Sequence, residues 1–143
     1  MPRVALWFFA VAPIYVIMGM CLGIYMGAAN DESLFPVHAH LNLLGWVTMG
    51  LCGAFYALAR EASKKLAWTV FALLNIGTLM MVPSLALLLK IGPQPADLVP
   101  LFIASFLLLG GMVTFALSVW AVLLKQARGS VQAGVRATPM AAE

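Results

Sequence analysis

The chain has 143 residues, 64% of them hydrophobic and 9% charged, with a mean hydropathy of +1.01. Soluble domains are about half apolar and about a quarter charged, so these figures exclude a water-soluble globule and equally a disordered chain. Eight bases against five acids give a net charge of +3 without a basic stripe, which excludes a nucleic-acid binder.

A hydrocarbon core about 30 Å thick is crossed by roughly 20 apolar helical residues. Four runs reach that length, at about 4–28, 38–59, 66–89 and 98–124, and short polar links at 30–33, 60–65 and 91–97 separate them. Links this short require antiparallel neighbours. The expected fold is an all-α, integral membrane, up-down four-helix bundle over residues 1–125, with 126–143 a flexible cytoplasmic tail. The alternating segments of a membrane β-barrel do not occur. The first run is too long for a signal peptide and carries no convincing cleavage site, so it reads as a retained helix. Lys and Arg set the orientation. With both termini cytoplasmic, Arg3, Arg60, Lys64, Lys65, Lys125, Arg128 and Arg136 lie inside and Lys90 alone outside.

The first helix carries Gly19, Gly23 and Gly27 on one stripe, which serves either helix packing within the chain or a self-association seam between subunits. Cys21 and Cys52 lie singly in apolar runs and read as packing residues, not as a disulfide or zinc framework.

The second helix is the informative one. It opens Phe35-Pro36-Val37-His38-Ala39-His40-Leu41-Asn42-Leu43-Leu44-Gly45-Trp46 and holds both histidines of the chain, with Pro36 suited to a helix's first turn. At about 100° per residue the two imidazoles point in nearly opposite directions. His38 shares a small and polar face with Asn42, Gly45, Met49, Gly53 and Tyr56. His40 shares an apolar face with Leu44, Val47, Leu51 and Leu58. Two ligands of one ion on one helix need a spacing of three or four, so this pair serves two different neighbours. An imidazole on an apolar intramembrane face must be satisfied by something. A haem or metal ligated by His40, headgroup solvation at the interface, and a hydrogen bond across a subunit contact all remain open.

In the third helix Asn75 is expected to make an interhelical hydrogen bond. Nine methionines admit a copper reading, with packing the simpler one, and Met26 and Met81 fall near the histidine level. No acid or base lies deep in a span, which argues against an ion-coupled transporter, and no nucleophile–base pair or phosphate loop can be assembled.

The stretch His38-Ala39-His40-Leu41-Asn42-Leu43-Leu44-Gly45-Trp46, followed by Gly50 and Gly53-Ala54-Phe55-Tyr56, resembles the second helix of the haem–copper oxidase superfamily. The likeness is greatest to the catalytic subunit of bacterial nitric oxide reductases and high-affinity cytochrome oxidases. It covers about 20 of the 143 residues. It implies that His40 is an axial ligand of a low-spin haem b, with Asn42 its partner in the motif, His38 a second ligand or a neighbour's ligand, and Gly45 leaving room beside the site. It also implies a bacterial inner membrane with the histidine pair toward the periplasm.

That family's subunit has three four-helix arcs, and this chain supplies one, without the further histidines of a copper centre. A homo-oligomer, specifically a trimer, could imitate the whole by symmetric closure. Three functional expectations stand. The first is a small b-type haem protein of cytochrome b character, acting in electron transfer or in binding nitric oxide or oxygen. If it were an enzyme, it would be a haem-dependent oxidoreductase. The second is a copper or zinc protein with histidines clustered between subunits. The third is a non-catalytic assembly subunit of a respiratory complex, using the glycine stripe and Trp7, Trp46, Trp68 and Trp120 for contacts. The lipid bilayer and a respiratory redox partner are the expected surroundings.

Overall fold

The computed structural model describes residues 1–93 and 95–137. Four helices follow one another: α1 Arg3–Ala29, α2 Phe35–Leu58, α3 Lys64–Ile91 and α4 Pro95–Ala137. Each is long and apolar enough to cross a membrane, and the 24 residues of α2 already span roughly 36 Å. Proline interrupts none of them, although Pro13, Pro83 and Pro100 lie inside α1, α3 and α4.

Each helix stops for a local reason. α1 closes on Asn30 in the left-handed region (φ 50°), its N–H donating to the Gly27 carbonyl while the Asp31 N–H reaches back to Met26. This double return bond satisfies carbonyls that the helix end leaves unpaired. Asp31 then accepts from the Ser33 N–H (2.9 Å) and pairs with Lys90 of α3, tying the first link to the end of the third helix. α3 ends at Gly92, whose φ of 90° suits glycine alone. The fourth span was expected to end at 124. Its helix continues to Ala137, passing through Gly129 and Gly134 as well as Ala, Gln and Arg, so it occupies most of the expected tail; residues 138–143 lie outside the described part.

The helices form two hairpins, α1 with α2 and α3 with α4, packed along α3. In the second, Gly77 receives Leu108 and Gly111 receives Leu74: a methyl built on either glycine would come within 2.8 Å of the opposing leucine. At one end of the bundle Phe8 stacks on Tyr56 and meets Phe71 edge-on, and the Tyr56 hydroxyl donates to Ser118 Oγ across 3.0 Å. Midway, Tyr15 donates to Asn75 Oδ1 (3.2 Å), and Asn75 Nδ2 donates to the Phe71 carbonyl (2.9 Å) and points at Met49 Sδ, so the expected interhelical bond of Asn75 is present. No buried side-chain polar atom among the described residues lacks a partner.

Around this core the outward faces are apolar. Ile24, Leu58 and Phe106 are 72%, 84% and 71% exposed. Exposed apolar side chains in this number are compatible with a hydrocarbon surrounding. The two ends differ. Lys90 and Asp31 mark one, together with the start of α2. Arg3, Arg60, Lys64, Lys65 and Lys125 collect at the other, where Lys125 and Gln126 bond to the carbonyl and carboxylate of Glu61.

Candidate functional site: the histidine shelf of the second helix

α2 begins as an α-helix over Phe35–His40, widens into a π-helix over Leu41–Thr48, and returns to an α-helix over Met49–Leu58. The Thr48 hydroxyl follows the wide pattern, donating to the carbonyl five residues back at Leu43 (2.8 Å). π-Turns are rare and recur at functional sites. Here the widening follows directly on the histidine pair. Leu41 and Gly45 within it, and Met49 just beyond it, are buried.

His38 faces inward, as its position on the small and polar face predicts. Its ring lies over Gly23, where an added methyl would come within 3.0 Å of Cε1. Nδ1 is 2.8 Å from the Gly19 carbonyl, which can only accept, so Nδ1 carries the proton. Nε2 then accepts from Asn42 Nδ2 at 3.0 Å, and the same amide group donates to the His38 carbonyl at 2.9 Å. Both ring nitrogens are therefore engaged within the chain. The expectation of His38 as a ligand meets a ring with no free lone pair. The expectation of Asn42 as the partner of His40 meets an amide bonded to His38.

The glycine stripe of α1 divides accordingly. Gly19 abuts Asn42, whose Oδ1 would lie 2.6 Å from an added methyl, Gly23 abuts His38, and a methyl added at Gly27 would meet nothing within 4 Å. Its first two members are packing contacts inside the chain. Gly45 makes room for Tyr15, whose Cβ an added methyl would overlap, so Gly45 belongs to the His38 side of the helix.

His40 is built differently. Its Nδ1 is 2.6 Å from the Pro36 carbonyl one turn back, so Nδ1 again holds the proton and the lone pair resides on Nε2. Nε2 has no hydrogen-bond partner among the described residues. The ring is only half-buried, on the face where Val47 and Leu51 are 41% and 64% exposed. An imidazole whose Nδ1–H is fixed by a backbone carbonyl, leaving the lone pair on Nε2, is in the state in which a histidine ligates a metal. The described residues of the single chain hold no group of three or more His, Cys, Asp or Glu side chains able to enclose an ion.

Sequence reasoning found the histidines and their opposite faces. It missed the carbonyls that fix them and the π-turn. The Pro36-to-His40 spacing of four was the visible signal for one of those carbonyls; the other, from Gly19, depends on how α1 docks.

The class defined by these elements is a four-helix chain suited to a membrane, with one open imidazole near one end. The chain matches no protein-family profile, no curated protein and no solved structure.

Proposed function

We propose that the chain is a multi-pass protein of the bacterial cytoplasmic membrane, with both termini cytoplasmic, that binds a b-type haem through His40. A single observation carries this reading. Among the described residues His40 Nε2 has no partner while Nδ1 is held on the Pro36 carbonyl, and the ring stands on an exposed apolar face. The resemblance of the His38–Trp46 segment to the second helix of haem–copper oxidases adds to it. Haem iron takes an imidazole nitrogen, and an apolar face beside it suits a porphyrin.

When bound, such a group would supply one-electron chemistry or diatomic gas binding. The chain's own part is to fix the tautomer and angle of His40 through Pro36, and to brace that turn of α2 through His38, Asn42 and Gly19. Both nitrogens of His38 are engaged within the chain, so a second protein ligand, where there is one, would be a histidine of another copy or a methionine. A trimer, with one shelf per copy, is the form we favour.

The same free nitrogen serves a copper or zinc site shared between copies, and a visible spectrum separates the two readings. Protein purified from cells supplied with haem, then reduced with dithionite, is expected to show an intense Soret band and sharp α and β bands. A colourless protein that retains stoichiometric copper or zinc would contradict the haem assignment and favour the shared metal. A colourless, metal-free protein would leave the assembly-subunit reading.

A further inference from the structure

At the end of the bundle opposite the histidines, the N-termini of α1 and α3 come together, since the first and third helices of an up-down order run the same way. Between them lies a cavity of about 330 Å³, lined by Pro2, Arg3, Val4, Lys64 and Trp68. That volume is within the usual range for small-ligand pockets, about 300–1,000 Å³. The rim is cationic. Arg3 and Lys64 are exposed, and among the described residues the one ion pair, Lys90 with Asp31, lies at the far end. Arg60 and Lys64 line a smaller adjoining space.

Neither helix has an acid in its first turn and the Ser63 side chain makes no capping bond; the carboxylate at this end, Glu61, accepts from Gln126 of α4, and among the described residues it forms no ion pair with Arg3 or Lys64. Two parallel helix dipoles add their positive ends to the same place. The inner wall, by contrast, is apolar, with Val4 at its base and the Trp68 indole, 43% exposed, along its side.

A cationic rim over an apolar wall fits an anion attached to an apolar body. Trp7 and Trp68 stand four residues into α1 and α3, and Trp120 five residues before Lys125, all three exposed and about 6–8 Å from the basic residues along their helices. Exposed indoles at one level mark a membrane interface. We propose that this cavity binds the phosphate headgroup of an anionic phospholipid, with Arg3 and Lys64 on the phosphate and Trp68 against the glycerol and upper acyl chain. The inference is independent of the haem reading.

Native mass spectrometry of the full chain in detergent tests it, by titration with phosphatidylglycerol, phosphatidylcholine or inorganic phosphate. One phosphatidylglycerol per chain is expected to bind in preference to phosphatidylcholine. The R3Q/K64Q variant is expected to weaken that binding about tenfold or more, since each basic side chain near a membrane surface contributes roughly fivefold. R3Q alone, which removes one exposed side chain, provides a second reading at roughly fivefold. The K125Q/R128Q variant loses the same charge from the same end, and at moderate salt it is expected to change binding less than about twofold. Equal losses in the two double variants, or no preference between the two lipids, would overturn the site. Binding of inorganic phosphate as tight as that of phosphatidylglycerol would overturn its assignment to a lipid.

Discussion

Gly23 leaves His38 room by the width of one methyl group. In Gly23→Ala the new methyl would press on the imidazole at 3.0 Å while Gly19 and Asn42 hold the ring from two sides. Overpacking of this kind costs about 1–3 kcal/mol, which thermal unfolding in detergent should report. Replacing His38 by Ala removes the partner of the Gly19 carbonyl and one partner of Asn42, with an expected loss of about 1–3 kcal/mol but no loss of a bound group. Much of this was legible in the sequence: helical spacing alone puts His38 with Asn42, Gly45, Met49, Gly53 and Tyr56, and the last four are buried. The unshared nitrogen of His40 was not legible, because it depends on a tautomer set by the Pro36 carbonyl, and side-chain spacing carries no information about which nitrogen holds the proton.

Among the elements, the π-turn of α2 was the least predictable, since no residue type marks it and its consequence is a change of register. Thr48 supports it from the side chain. Thr48→Val keeps the shape and removes the hydroxyl bond to Leu43; a loss of about 0.5–1.5 kcal/mol is expected, with faster amide hydrogen exchange confined to the 41–48 segment. The α1 stripe shows the converse limit. Spacing located the three glycines, but only the docking of α2 decides that two of them face His38 and Asn42. The link between α1 and α2 is clamped electrostatically. The Lys90 ammonium, then the Ser33 N–H, lower the Asp31 pKa to about 2 from an ordinary value of 3.8. A carboxylate with a depressed folded pKa contributes stability that is fully present above the unfolded value and is lost as pH falls through the folded one. Unfolding temperature should therefore drop between about pH 4 and pH 2 in the native chain, and that acid-dependent step should shrink in Asp31→Asn.

For the whole molecule, hydrophobic length and link length were enough to anticipate four helices and their alternation. The end of α4 was less legible, because Gly129 after Lys125 and Arg128 reads as a stop signal and the helix runs through it to Ala137. At the level of assembly, the single chain offers one imidazole with an unshared nitrogen and a broad apolar exterior, and the proposed trimer is open to direct test. A monodisperse species of three chains in detergent, after subtraction of the detergent mass, is expected; one or two chains would contradict the trimer. The central proposal is that His40, and not His38, holds the prosthetic group. The most direct test compares haem per chain and the dithionite-reduced α band in native protein, His40→Ala and His38→Ala. Loss of haem in His40→Ala, with haem retained by a less stable His38→Ala, is the predicted result. Full haem with an unchanged α band in His40→Ala would contradict it.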